Sequence, residues 1–301
     1  MMRSAVLTVA DSSLTRGLIT QTPAGRAVAQ RFIAGDELAA AVDVAKALNE
    51  QGMAVSLDHL GEHVSVIEEA ELATQSYLEC LEAIRGFDLD ANISVKLTQL
   101  GMGLDDEAAR RNLDVLATAA ADVGTSVTVD MEESQHTGTT IAIYEQVQGI
   151  HGNLGIAVQS YLHRTAQDLD RIVPLGGHVR LCKGAYSEPS DVAYQSGREV
   201  DESFDRLAAL LMHSPGVRPA IASHDDARLE PVLELAADRS EPWEFQMLYG
   251  VRRDRQRALV EAGHNVRVYV PYGSAWYPYF SRRLAERPAN LTFFARALLG
   301  R

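Results

Sequence analysis

The sequence has few cysteines, few aromatic residues and no long apolar run. Its 301 residues include two cysteines, Cys80 and Cys182, which is too few for a disulfide framework and favours a reducing compartment. No apolar run is long enough to span a bilayer, so no integral membrane segment is predicted. The N-terminal stretch turns polar too soon for a signal peptide. We expect a cytoplasmic protein, with peripheral contact at the inner face of the cytoplasmic membrane left open.

Positive charge is also scarce. Lysine and arginine total 28 against 41 acidic residues, a net charge of -13 without a basic stripe, so no nucleic-acid partner is expected. The phosphate-binding motifs GxxxxGK[ST] and GxGxxG are missing. The stretches DHLGEH (58–63) and DMEESQH (130–136) contain possible metal ligands, but neither has the spacing of a known metal motif. We therefore predict no metal.

Eight short apolar runs rich in β-branched residues alternate with helical patterns. Their starts lie about 20 to 40 residues apart, the length of a strand plus a crossover helix. We predict a (β/α)8 barrel at residues 51–301, preceded by a helical arm at residues 1–50. A doubly wound sheet is the alternative, although it more commonly holds five to seven strands. The runs are 53–60, 92–97, 126–131, 154–161, 178–184, 218–224, 244–250 and 265–273.

Two helix boundaries can be predicted from local signals. Ser65 and Glu68 have the spacing of a capping box at the start of a helix whose apolar residues run from Val66 to Ile84. Gly263 stands where the C-terminal cap of a later helix is expected.

Polar side chains gather at the carboxyl ends of the predicted strands, the edge where such barrels carry active sites. A charged residue inside a strand must be paired or must touch a ligand. For Lys96 or Asp130 alone, a structural salt bridge is the simpler explanation. Several such residues together favour a site for a polar ligand. In chain order the strand-end residues are Lys96, Asp130, Gln159, Tyr161, Arg180, Lys183, Ser223, His224, Gln246, Leu248 and Tyr269.

Two adjacent arginines, Arg282 and Arg283, lie in the helical stretch YFSRRLAERPAN (279–290). Planar guanidinium groups suit bidentate binding of a carboxylate, and Glu286 could orient one of them. Taken alone, the stretch is explained slightly better as a solvated helix face with an i,i+4 Arg–Glu pair.

Eight motifs occur in a characteristic order: ISVKL, VTVDMEE, AVQSY, RLCKGAY, ASHD, EFQMLYG, RVYVPYG and YFSRRLAERPAN. Together they resemble the FAD-dependent proline dehydrogenases, including the corresponding domain of the bifunctional bacterial proline-utilisation proteins. The resemblance runs from about residue 50 to the C-terminus, and the chain's size is similar to the short monofunctional bacterial members. It implies a distorted (β/α)8 TIM-type barrel with FAD at its mouth.

The resemblance also implies roles for individual residues. Asp130 and Arg180 would be catalytic, beside the flavin. The substrate pocket would consist of Lys96, Tyr186, Leu248, Tyr269, Tyr279, Arg282 and Arg283, with the two arginines on the proline carboxylate. Contacts to FAD would come from Met131, Gln159, Arg180, Lys183, Gly184, Ala185, Ser223, His224 and Gln246. Glu286, grouped with these, would form an ion pair with one of the two arginines.

The implied reaction is the oxidation of L-proline to Δ1-pyrroline-5-carboxylate, with hydride transfer to flavin N5 and electrons passed on to a quinone-type acceptor. A pocket containing Lys96, Arg282 and Arg283 should lower the pKa of the substrate amine. Two alternatives stay open. One is a Schiff-base barrel lyase with Lys96 or Lys183 as nucleophile, and the other is a non-catalytic flavin or amino-acid binding protein.

Overall fold

Eight parallel strands close into a barrel in the computed structural model, which describes residues 29–286 and the side chains of residues 29–282. β1 pairs with both β2 and β8, which closes the sheet on itself. The (β/α)8 prediction is confirmed and the doubly wound alternative is wrong. The strands are β1 (Ala54–His59), β2 (Ala91–Val95), β3 (Val127–Val129), β4 (Leu154–Gln159), β5 (His178–Cys182), β6 (Arg218–Ala222), β7 (Glu244–Leu248) and β8 (Val266–Tyr272).

Helices connect the strands and cover the outside of the barrel. They are α1 (Leu38–Asn49), α2 (Ile67–Gly86), α3 (Asp106–Val123), α4 (Thr137–His151), α5 (Thr165–Ile172), α6 (Gly197–His213), α7 (Asp226–Ala236), α8 (Arg253–Glu261) and α9 (Tyr277–Glu286), with short 3-10 turns at Ser134–His136 and Val173–Leu175. Within residues 29–286, no helix combines the length and apolarity that crossing a membrane requires.

Helix α1 precedes the barrel and packs on it. Its buried residues Ala41, Val42, Ala45 and Leu48 belong to the same apolar cluster as the strands. Residues 1–28 of the predicted helical arm lie outside the described part of the chain, so the domain division at residue 50 stays a prediction.

One of the two predicted caps is wrong. Val66, in extended conformation, is the N-cap of α2, and its side chain makes no capping bond. Instead, the carboxylate of Glu69 accepts a hydrogen bond from the backbone N–H of Ser65 at 2.7 Å. The helix therefore begins one residue later than a Ser65–Glu68 box requires. Gly263 follows the end of α8 with a φ of 85°, as its predicted place after that helix requires.

The side chains on the two faces of the barrel sheet differ in polarity. Outward-facing residues such as Val55 and Ile156 pack with the helices in the apolar core. Alternate residues face the barrel axis, and many of them are buried and polar, including Ser56, Asn92 and Thr128. Barrels of this class usually fill the axis with branched apolar side chains. The polar interior therefore indicates that a site extends down into the barrel.

His178 is a buried, neutral histidine in this interior. Its Nε2 lies 2.6 Å from Oγ1 of Thr128, which also accepts a bond from Asn92 at 3.0 Å. Burial, followed by the charges of nearby arginines, lowers the pKa of His178 well below its usual 6.5. A Cβ on Gly155, its neighbour in β4, would lie 2.2 Å from the ring. Glycine at 155 is therefore what makes room for the histidine.

We predict that Gly155→Ala lowers the melting temperature, because the added methyl overlaps a ring fixed by a buried hydrogen bond. Overpacking of this kind costs about 1–3 kcal/mol, and we expect the upper end. Thermal unfolding followed by circular dichroism measures the change.

Gly149→Ala is the matched control, because Gly149 lies in α4 and a Cβ added there would have no neighbouring atom within 4 Å. It should be neutral or stabilising, since glycine inside a helix costs about 0.5–1 kcal/mol relative to alanine. Adding His178→Ala to Gly155→Ala should recover part of the loss. Equal melting temperatures for wild type and Gly155→Ala would contradict this account of the interior.

Candidate active site

A cavity of about 460 Å³ lies at the carboxyl ends of the strands. Its lining includes every predicted site residue whose side chain the structure describes, so these residues surround one space. Five lining residues were not predicted: Ala157, Cys182, Ala222, Asp225 and Met247. The predicted ones are Lys96, Asp130, Met131, Gln159, Arg180, Lys183, Gly184, Ala185, Tyr186, Ser223, His224, Gln246, Leu248, Tyr269, Tyr279 and Arg282.

Two predicted site residues cannot be placed in the same way. Arg283 and Glu286 belong to helix α9, but their side chains lie outside the described residues. The predicted ion pair of Glu286 with an arginine therefore stays a prediction, as do the individual roles assigned from the resemblance.

Two cations and two carboxylates form a buried cluster at the cavity floor. Nζ of Lys96 lies 3.1 Å from Oδ1 of Asp58 and 3.5 Å from Oδ2 of Asp130. Asp130 also accepts bonds from Nη1 of Arg180 at 2.5 Å and from the hydroxyl of Tyr269 at 2.7 Å. With both carboxylates ionised, the four charges sum to zero. This balance is what allows four ionisable groups to remain in the barrel interior.

The partners shift the pKa values of the cluster in opposite directions. Burial alone would raise the pKa of Asp130, but the charges of Arg180 and Lys96 hold it below its usual value. Burial raises the pKa of Asp58, and the single cation beside it does not offset this. Burial would lower the pKa of Lys96, but the two carboxylates raise it above its usual value. Lys96 is therefore an ammonium and Asp130 a carboxylate.

A series of hydrogen-bonded side chains on β7 and β8 holds Arg180 in place. Its Nε donates to Oε1 of Gln246 at 2.5 Å, and the amide of Gln246 donates to Glu244 at 2.5 Å. Arg267 donates to the same carboxylate at 2.9 Å. The remaining amino group of Arg180, Nη2, is buried and has no hydrogen-bond partner among the described residues. A buried donor of this kind normally has a partner, so it indicates that a ligand acceptor belongs beside it.

The opposite wall of the cavity is formed by the ends of β4 to β7. The amide of Gln159 donates to the backbone carbonyl of Glu132 at 2.8 Å. Nε2 of His224 accepts from the backbone N–H of Leu248 at 2.8 Å, which fixes the ring. Nζ of Lys183 lies 2.6 Å from Asp201 and 3.1 Å from Asp225.

Gly184 is needed in this wall for a steric reason. Its φ is 122°, and a Cβ there would lie 2.2 Å from the ring of Tyr161. The backbone after β5 can therefore cross the tyrosine ring only with glycine at this position.

Polar contacts between loops surround the mouth of the cavity. Arg282 forms a two-pronged ion pair with Glu62, with Nη1 3.2 Å from Oε2, and its guanidinium carbon lies 5.8 Å from the ring centre of Tyr186. The carboxylate of Glu188 accepts from the backbone N–H of Ser134 at 2.7 Å and from its hydroxyl. The loops after β1, β3 and β5 and helix α9 are thus connected.

Glu62 is ionised and Arg282 is charged in this arrangement. Burial would raise the pKa of Glu62, but Arg282 and then Lys96 hold it below its usual 4.5. Burial would lower the pKa of Arg282, but Glu62 raises it above its usual value. The ion pair therefore persists at neutral pH.

Sequence reasoning missed Asp58 and Glu62. Both lie in DHLGEH (58–63), a stretch whose spacing matches no known metal motif and indicates no other site. The signal for Asp58 was available, because it shares the inward face of β1 with Ser56, and a buried charge in a strand requires a partner. Glu62 carries no such signal, since its partner is 220 residues away in the sequence.

The two stretches considered for metals do approach each other. Ligand atoms of His63, Glu132 and Glu133 lie within 4.8 Å of one another. One carboxylate oxygen of Glu132 accepts a hydrogen bond from the N–H of Thr98 and the other accepts one from its hydroxyl. The expectation of no metal stays a prediction.

A family model described as proline dehydrogenase matches residues 41–296. Proline dehydrogenase 1 of Bacillus subtilis (strain 168) is 39% identical over 274 residues, which are 90% of this chain and 90% of that protein. Proline dehydrogenase of Deinococcus radiodurans is 33% identical over 305 residues, covering 99% of this chain and 97% of that protein.

Among solved structures, proline utilization A from Bdellovibrio bacteriovorus, inactivated by N-propargylglycine, matches with a TM-score of 0.84 and 23% identity. The match covers 98% of this chain and 37% of that one, and at this identity it concerns the fold. The family model and the two bacterial relatives each extend over most of the sequence, and residues 41–296 of the family match include the strand ends that line the cavity. The chain belongs to the proline dehydrogenase family.

Proposed function

We propose that the protein oxidises L-proline to Δ1-pyrroline-5-carboxylate with bound FAD, as the first step of proline catabolism to glutamate. The observation that carries the proposal is a cavity with fixed cations on two sides. Lys96 and Arg282 stand where a small carboxylate can bind, and Arg180 presents a buried, unpartnered N–H from below. This combination suits the carboxylate of a small substrate next to a cofactor with hydrogen-bond acceptors.

The residues present fit a flavin. Nη2 of Arg180 is a donor in need of an acceptor, and flavin carbonyls and ring nitrogens are acceptors. Ala157, Ala185 and Ala222 contribute small side chains to part of the lining, against which a flat ring system can lie. The residues that would hold the cofactor are Met131, Gln159, Arg180, Lys183, Gly184, Ala185, Ser223, His224 and Gln246. When bound, the flavin supplies the hydride acceptor.

The substrate is bound through its carboxylate and surrounded by aromatic and apolar side chains. Arg282 and Lys96 take its carboxylate, together with Arg283. Tyr186, Leu248, Tyr269 and Tyr279 enclose the ring. Because the pocket is desolvated, the pKa of the bound amine falls, which favours the neutral form that can lose a hydride. Positioning by the carboxylate contacts contributes a large part of the rate.

The Schiff-base lyase is the weaker interpretation of the same residues. A nucleophilic lysine must be a free amine, whereas Lys96 is an ammonium between two carboxylates that raise its pKa. Lys183 is paired with Asp201 and Asp225. Both lysines are therefore better suited to binding anionic groups.

The electron acceptor is proposed on family resemblance alone. A quinone-type acceptor would take the electrons from the reduced cofactor, with the protein on the cytoplasmic side and in peripheral contact with the inner face of the membrane. Reduction of a water-soluble quinone analogue, compared with oxygen, tests the acceptor class, and centrifugation with lipid vesicles tests the contact.

We predict that the purified protein has a flavin absorbance spectrum that bleaches on anaerobic addition of L-proline. Released FAD, identified by chromatography, would define the cofactor. A protein that cannot be loaded with FAD would contradict the proposal and favour the lyase. A flavin that proline does not bleach would favour a binding protein or another substrate.

We predict that Arg282→Met raises the KM for L-proline about 10- to 100-fold while the flavin content stays unchanged. A hydrogen bond to a charged group contributes about 1.5–3 kcal/mol, which corresponds to that range. Steady-state kinetics and the ratio of flavin to protein absorbance provide the measurement.

Arg171→Met is the matched control. Arg171 forms an equivalent two-pronged pair with Glu145 on the outside of the barrel, so its removal should leave KM unchanged. Loss of flavin with an unchanged KM in Arg282→Met would show that this arginine does not bind the substrate.

A further inference from the structure

Asp58 lies behind Lys96, fully buried and outside the cavity lining. Its Oδ1 accepts the bond from Lys96 at 3.1 Å. Its Oδ2 is buried and accepts no hydrogen bond from any described residue. Asp130, on the other side of Lys96, accepts bonds from Ser94, Arg180 and Tyr269. The two carboxylates that face Lys96 are therefore stabilised very differently as anions.

This asymmetry decides which carboxylate can take up a proton. Asp130 is held as an anion by the neighbouring guanidinium, which keeps its pKa low. Burial raises the pKa of Asp58 and the negative charge of Asp130 adds to the effect, and the opposing influence of Lys96 and of the Tyr269 hydroxyl offsets this only in part. A proton on Asp58 would neutralise a buried anion that has one cationic partner and a bare oxygen.

The other titratable groups around Asp58 do not compete for the proton. Burial raises the pKa of each of the hydroxyl and thiol groups, so they are neutral, and the pKa of Cys80 reaches about 12. The adjacent imidazole of His59 has its pKa lowered by burial and is neutral as well. The groups that face Asp58 are Lys96 from the residue after β2, Asp130 from the residue after β3, Tyr269 and Tyr272 from β8, and Tyr77 and Cys80 from α2.

The proposed reaction has to dispose of a proton. At neutral pH the amine of proline is an ammonium, and it must become neutral before the adjacent carbon can lose a hydride. Lys96 lines the cavity but is itself protonated. It can accept a proton from the substrate only if it gives one of its own to a group behind it.

We infer that Asp58, acting through Lys96, receives the proton that the substrate ammonium loses. An N–H bond of the ammonium breaks and its proton binds Nζ of Lys96, while an N–H bond of Lys96 breaks and its proton binds Oδ1 of Asp58. The substrate becomes a neutral amine, Lys96 keeps its charge, and Asp58 becomes a neutral acid. No electrons move in this step. Asp58 is a positioning residue, and its role rests on the proposed function.

Infrared difference spectroscopy tests the proton transfer without turnover. Reduced holoenzyme carrying ¹³C in its aspartate carboxyl groups is compared with and without L-proline. We expect a carboxylic-acid C=O band that shifts with the label. Tetrahydrofuran-2-carboxylate, which has a ring oxygen in place of the N–H group, should produce no such band because it has no ammonium proton.

Two variants assign the band. Asp58→Asn should abolish it, and Ser56→Ala should keep it, because Ser56 is buried on the same face of β1 but bonds to Asn92. A wild-type enzyme without a label-sensitive band in the presence of L-proline would overturn the inference. Because this outcome uses only the wild type, it decides the question even if Asp58→Asn does not fold.

The pH profile of kcat/KM separates proton transfer from a structural role. In Asp58→Asn the amine of the substrate must already be neutral when it binds, so kcat/KM should fall about tenfold for each pH unit below the pKa of that amine. Wild type and Ser56→Ala should instead share a plateau around neutral pH. A loss by the same factor at every pH in Asp58→Asn would overturn the inference. Failure of L-proline to reduce wild-type flavin is a different result, and it would refute the proposed function.

Discussion

The pairing of two buried cations with two buried carboxylates is the constraint on which the rest of this barrel depends. An unpaired charge in a protein interior costs several kcal/mol even after relaxation, about 3–5 kcal/mol when a partner is removed. Lys96, Arg180, Asp58 and Asp130 come from β1 and β5 and from the residues just after β2 and β3. They meet only when these strands close in one register. The groups that the chemistry uses therefore also favour a single arrangement of the strands.

Because the interior of the barrel is polar, the apolar burial that stabilises the fold lies outside the ring of strands. Because the barrel axis is occupied by hydrogen-bonded and charged side chains, the apolar area that drives folding lies between the strands and the helices. Inside, side chains must fit without spare volume. Gly155 beside His178 and Gly184 beside Tyr161 are both positions where a methyl would overlap a ring. Glycine is used at these positions to make space, even though it increases the entropy lost on folding.

The fold could be predicted because its signal is repetitive. Eight β-branched runs at regular spacing require eight strands, and the strands close into a barrel as expected. The gathering of the site residues followed from the same argument, since parallel strands end at one edge. Local signals were less dependable. The capping box at Ser65 is absent because α2 begins after Val66, a difference of one residue that propensity cannot resolve.

The parts of the site that were missed depend on contacts between distant segments. Arg282 was expected to act with Arg283 and Glu286 on one helix, which stays a prediction, and the partner that the described residues add, Glu62, is in the loop after β1. Helical spacing describes neighbours on the same helix and contains no information about a loop that packs over it. Asp58 could have been found, since a buried carboxylate one strand away from Lys96 is what charge balance demands.

These two missed carboxylates complete the electrostatic account of the site. Arg282 has Glu62 as its anion, and Arg282 and Lys96 in turn keep Glu62 ionised. Lys96 is paired with Asp58 and Asp130. When a proton moves onto Asp58, Asp130 remains as the carboxylate partner of Lys96, and the substrate carboxylate lies nearby. At each stage every buried cation therefore keeps a carboxylate beside it. Under the proposed function, a zwitterion with an ammonium next to its carboxylate fits this arrangement, because its carboxylate can bind the cations that line the cavity and its ammonium supplies the proton. A simple carboxylate could bind the cations but has no proton to supply.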